Sequence, residues 1–142
     1  MVTRQLDERE CWSALRHASV GRVAIVVDGK PEIFPVNHVV DAATVVFRTA
    51  AGTKLRAAAE RQPAAFEVDG WEEHEAYSVV VHGRLSQITH PEQLIETLGL
   101  SLAPWESSPK GSFVRLEPDR ISGRRFVRVG PGHWAPDPFD KW

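Results

Sequence analysis

The sequence predicts a mainly β fold, with six or seven antiparallel strands closed into a barrel or roll and about three helices on its outside. Three observations predict it. Short β-rich runs recur along the chain, separated by turn residues. The first two runs, RVAIVV and KPEIFPVNHVV, are joined only by Asp28-Gly29, a hairpin dipeptide too short for the helical crossover that a parallel pair needs. Helical patterning is confined to three segments.

The elements follow in order. LDERECWSALRHASVG reads as a first helix, capped by Asp7 with Glu10 three residues on, and stopped before Gly21. Its Trp12, Leu15 and Ala18 share one face, with Cys11 beside them. The Asp28-Gly29 hairpin comes next, and DAA makes a second turn into TVVFRT. GTKLRAAAERQ reads as a second helix, ended by Pro63. AAFEVD is a fourth strand, GWEEHEA an acidic irregular loop, and YSVVVHGRLSQI a long fifth strand. Gly83 inside that strand suggests a bulge or a close backbone approach. PEQLIETLGL reads as a third helix, capped by Thr89 with Glu92 in the capping-box position. SFVRLEP and RISGRRFVRV are two further strands. The end, 130–142, is a Pro- and Gly-rich tail. With no repeat and no linker, the 142 residues read as one domain.

Composition narrows the class. Hydrophobic residues make up 42% and charged residues 25%, enough for a packed core. A net charge of -2 argues against a nucleic-acid or membrane-surface protein. No apolar run reaches the roughly 20 residues that span a bilayer, and the start, MVTRQLDERE, is not a signal peptide. The single cysteine, Cys11, allows no internal disulfide. The expectation is a soluble cytoplasmic protein. The six histidines lack metal-ligand spacing, so no metal site is expected.

One segment carries chemistry. In FRTAAGTKLRAA, residues 47–58, a strand ends and a helix begins. A helix start offers unpaired N–H groups and a partial positive charge, a natural seat for an anion. Arg48 can grip two phosphate oxygens as a fork, and Lys54 adds a point charge. Thr49 and Thr53 carry hydroxyl donors, and Gly52 lets the backbone come close to a ligand. Capping by Thr53 alone would leave Arg48, Gly52 and Lys54 together unexplained. The Walker and dinucleotide spacings are absent.

Four segments in this order, GRVAIVVDGKPEIFPVNHVV, VVFRTAAGTKLRAA, PAAFEVDGWEEHEAYSVVVHGRLSQI and PW…SFVRLEPDRISGRR, give the chain a resemblance to a known family. It resembles the pyridoxamine 5'-phosphate oxidase-like split-barrel flavoproteins, in their small actinobacterial and nitroimidazole-reductase-like branch. The resemblance implies a homodimer of split barrels with FMN held at the interface. It implies that the segment from Phe47 holds the flavin phosphate, with Arg48, Thr49, Gly52, Thr53 and Lys54. It places Pro35, Val36 and Asn37 beside the isoalloxazine ring, Tyr77 and Ser78 near the ring or the partner's flavin, and Trp105 on a late loop approaching it. Each has a plainer structural reading: a strand edge for Pro35, a bulge for Asn37, strand packing for Tyr77 and a core aromatic for Trp105.

The tail GPGHWAPDPFDKW does not match the basic C-terminal residues with which pyridoxamine phosphate oxidases hold substrate, and Arg124 and Arg125 are the substitute cations on offer. The implied function is therefore an FMN-dependent oxidoreductase of a small molecule, with NAD(P)H as a possible reductant and no assignable catalytic residue. Its alternatives are a flavin carrier, store or sensor without turnover, or a barrel holding coenzyme F420 or haem.

Overall fold

The computed structural model describes residues 2–90, 92 and 111–127. Within these, the order is β1 (Val2–Leu6), α1 (Glu8–His17), β2 (Val20–Val27), β3 (Lys30–Asp41), β4 (Thr44–Thr49), α2 (Thr53–Ala59), β5 (Pro63–Trp71), β6 (Glu75–Gln87) and β7 (Ser112–Val127). All pairings are antiparallel. The sheet runs β1-β7-β4-β3-β2-β5-β6, and β6 pairs again with β7, so six strands close into a barrel with β1 added at one edge. Closure leaves little open edge. β2 meets β5 only over Arg22–Ala24, while β6 follows β7 for almost its whole length.

The barrel strands alternate inward and outward residues over much of their length, as in VGRVAIVV, where Val23 and Ile25 are buried and Val26 is exposed. The barrel core gathers Phe47, Phe66, Val81, Leu85 and Leu116, all fully buried. α1 closes one side with Cys11, Trp12 and Leu15. The expected capping box forms: Asp7 accepts from the Glu10 N–H at 2.8 Å and Glu10 accepts from the Asp7 N–H at 3.2 Å.

The first hairpin turn has Asp28 and Gly29 at φ 51° and 76°, the type that matches strand twist. The second places Ala42 and Ala43 at φ 45° and 58°, a strained choice for alanine. That turn is clamped from outside: the Arg115 guanidinium donates to the Asp41 carboxylate at 2.9 Å and to the Thr44 hydroxyl at 2.6 Å.

Several expectations need correction. β1 is a strand that the sequence patterning does not announce. It is a strand because it pairs with Gly123–Val127. α1 ends at His17, and Gly21 lies inside β2 instead of capping the helix. The expected loop GWEEHEA is mostly strand: Gly70-Trp71 extends β5 and Glu75-Ala76 begins β6. The two final strands are one 16-residue strand, β7. The break at Pro118 is a bulge, because register slips between His82 and Gly83. A Cβ on Gly83 would sit 2.0 Å from the Glu117 carbonyl oxygen, so the close approach expected there is real. The third helix lies outside the described residues apart from Glu92, as does the tail from 130 onward.

Candidate functional site

β3 and β4 pair from the hairpin only as far as His38 and Phe47. Beyond that pair they splay apart: β3 continues along β2, and β4 pairs with β7. The gap is a cavity of about 320 Å3, lined by Phe34–Asn37 of β3, Arg48 and Thr49 of β4, and 50–54 leading into α2. The backbone amide of His38 donates to Ser19 on the β2 side. By ladder alternation Pro35 stands where an N–H would point away from β2, so its missing donor breaks no bond there.

The cations are held by aromatic rings. Arg48 lies over the Phe113 ring, 5.7 Å from its centroid, and the Lys54 ammonium lies 4.3 Å above Phe34. Phe113 belongs to a small outer cluster with Val46, on the opposite face of β4 from Phe47. Gly111 makes room for the arginine: a Cβ there would come within 2.3 Å of Arg48 Nε. Gly52 caps α2 at φ 152° and ψ -155°, a conformation that needs glycine, and open space lies where its Cβ would be. No side chain caps the helix, so Thr53 is its first residue and not its cap. The Thr49 hydroxyl, buried, donates to the Ala50 carbonyl at 3.2 Å.

The cavity thus brings together Pro35, Val36, Asn37, Arg48, Thr49, Gly52, Thr53 and Lys54. It does not include Phe47, Tyr77 or Ser78. Phe47 points into the barrel core because it alternates with Arg48 along β4. Tyr77 packs against the main core and lines a separate hollow beside α1. Ser78 takes the opposite, outer face, opposite Asp69 and Arg124 in register. Trp105 lies outside the described residues. Phe34, Gly111 and Phe113 are additions that the sequence reading missed. Phe34 adjoins the PVNH motif, so its position carried a signal; Gly111 and Phe113 reach Arg48 from a distant strand and carried none.

His38 stands where the strands part. Its Nε2–H donates to the Leu15 carbonyl at 2.8 Å, its ring meets Phe66 edge-on at 4.8 Å, and its buried Nδ1 has no hydrogen-bond partner among the described residues. Burial pushes its pKa below the usual 6.5, against the weaker pull of the Leu15 carbonyl. As pH falls through about 6.5, the unfolded chain takes up a proton that the folded chain refuses, so stability is lost. Urea titrations at pH 7.5 and 5.5 should show wild type losing stability on acidification and His38→Gln losing measurably less.

Fold and cavity together define a protein of the split-barrel class. The profile of the pyridoxamine 5'-phosphate oxidase family matches residues 7–125. The chain belongs to that family. It is 31% identical over 130 residues to the uncharacterized protein Rv0080 of Mycobacterium tuberculosis, covering 87% of this chain and 85% of that one. A solved structure from Corynebacterium glutamicum, designated a candidate pyridoxamine 5'-phosphate oxidase, superposes with a TM-score of 0.79 at 32% identity, covering 89% of this chain and all of that one. The FAD binding protein of Mycobacterium smegmatis has a TM-score of 0.68 at 34% identity, covering 88% and 99%.

Proposed function

We propose that this protein binds a flavin in the β3–β4 cavity and uses it as an oxidoreductase of a small molecule, with FMN as the ligand. The observation that carries the reading is the single cavity that gathers Arg48, Gly52, Thr53 and Lys54 beside Pro35–Asn37. The residues fit the group. A fork, a point charge, a hydroxyl and an open glycine suit a phosphate, and the β3 residues supply a mixed apolar and amide wall for a ring. The FAD binding relative at 34% identity supports a flavin, and FMN is the smallest flavin with the phosphate these cations suit.

When bound, the flavin supplies the electron transfer. Arg48 and Lys54 hold the anion, Asn37 offers an amide to the ring's polar edge, and Val36 lines its apolar side. The described lining contains no carboxylate, imidazole, thiol or phenol. The chain's part is thus binding, orientation and water exclusion, with no proton assigned to a side chain. Absorbance of the purified protein, with the released cofactor identified by mass, tests the flavin and separates FMN from F420 or haem. Bleaching of the band by NAD(P)H separates an enzyme from a carrier. Colourless protein that fails to quench FMN fluorescence sinks the reading.

We also propose a homodimer, with a cytoplasmic setting that suits the free Cys11. No helix among the described residues is long and apolar enough to cross a membrane. Ile33 and Trp71 are 66% and 70% exposed on the outer strand face from which Pro35 and Asn37 also project. A second copy on that face would bury both and cover the cavity mouth. Light scattering should give twice the 15.8 kDa chain mass for wild type and the monomer mass for Ile33→Glu. A wild-type monomer would end the dimer proposal.

A further inference from the structure

We propose a second ligand site, on the barrel rim beneath α1, that takes a small monocarboxylate with an apolar body. It does not depend on the flavin reading. A hollow of about 250 Å3 opens there among β1, α1 and the rim ends of β6 and β7, and it shares no residue with the cavity between β3 and β4. Leu6 and Ala14 make an apolar floor, and Ser13, His17, Tyr77 and Arg125 bring polar groups to its wall. A concave apolar surface with a few convergent polar groups is the usual form of a small-molecule site.

The charges divide into committed and available ones. Glu10 is committed: its two oxygens accept the Arg4 fork at 3.0 and 2.8 Å, and one also accepts the Asp7 N–H. Arg125 is available. Among the described residues its one ion pair is with Glu75 at 3.6 Å, too long for a hydrogen bond and half exposed on both sides. Tyr77 is the register partner of Arg125 on the adjacent strand, so phenol and guanidinium stand side by side on one face. The Tyr77 ring is held flat over Gly70, where a Cβ would come within 2.9 Å of it. Burial, with Asp69 and Glu67 nearby, pushes the phenol pKa up and keeps its O–H a donor.

A carboxylate placed between them accepts the Arg125 fork and the Tyr77 hydroxyl, in place of the long contact to Glu75. Ser13 and His17, one helical turn apart on α1, face the same space. The acidic side chains Glu10 and Glu75 at the edge disfavour a dianion such as phosphate, and the floor favours an aryl or alkyl body.

Ligand-observed NMR titration of the full chain tests this, with 3-phenylpropionate as probe and its neutral amide as control. The acid should bind saturably and at least tenfold more tightly than the amide. Arg125→Gln should lose at least tenfold and Tyr77→Phe a few fold. Glu75→Gln, which removes the competing carboxylate, should bind a few fold more tightly. Added FMN should leave the affinity unchanged. Equal binding of acid and amide, wild-type affinity in Arg125→Gln, or weaker binding in Glu75→Gln overturns the proposal. Displacement of the acid by FMN also overturns it, since that would put the acid in the other cavity.

Discussion

Replacing both Arg48 and Lys54 with alanine is expected to weaken flavin affinity at least tenfold, with little change in melting temperature. Charge-assisted bonds to a phosphate contribute on the order of 1.5–3 kcal/mol each, and about 1.4 kcal/mol is a decade of affinity. Two such groups would amount to more than tenfold on their own. The free protein offsets part of this, because both cations already rest on aromatic rings and must turn from Phe113 and Phe34 to reach a ligand. Such ring contacts contribute roughly 0.5–1 kcal/mol each at exposed sites, which also sets the scale of the stability lost. Arg48 should matter more than Lys54, since its fork makes two parallel bonds and Gly111 leaves it a fitted slot. Arg56 is the control: it is exposed, lies on the same short helix and does not line the cavity, so Arg56→Ala should bind as wild type. Fluorescence titration with FMN reads wild type, the two single variants, the double variant and Arg56→Ala. A double variant within threefold of wild type would show that the phosphate sits elsewhere.

Whether a feature was legible in the sequence depended on how local its cause is. The Asp28-Gly29 turn and the Asp7–Glu10 capping box are decided within four residues, and both form as read. β1 was missed because VTRQL has no apolar alternation of its own; its partner, Gly123–Val127, lies at the far end of the chain. Pro118 was misread as a strand end because the bulge that accommodates it involves β6, where Gly83 yields space. The same rule divides the site. Arg48, Gly52, Thr53 and Lys54 stand together at one joint and were legible. Gly111 and Phe113, which shape the arginine's seat, arrive from β7 and the residue before it. The resemblance puts Tyr77 near the ring or the partner's flavin, and within the chain it lies at another hollow.

Phe47 shows a different kind of error, and the second large effect follows from it. Phe47 precedes Arg48 on β4, but the cavity takes Arg48 and Thr49 and leaves Phe47 out. The structure gives the outer side to Arg48 and leaves Phe47 with no exposed surface, packed in the barrel core opposite His38 in register. Truncating such a side chain costs about 3–5 kcal/mol through lost burial and the void left behind. For a domain of 142 residues, Phe47→Ala should therefore melt roughly 10–15 °C below wild type. Phe47→Leu, which refills most of the space, should recover more than half of that loss. At a temperature where Phe47→Ala is still folded, its FMN affinity should stay within a few fold of wild type, the reverse of the Arg48–Lys54 pattern. A Phe47→Ala protein that melts like wild type but loses FMN would put the ring in the cavity and reverse the facing of β4. Because Thr49 and Arg48 take their sides from the same alternation, that result would also undo the geometry of the proposed phosphate seat.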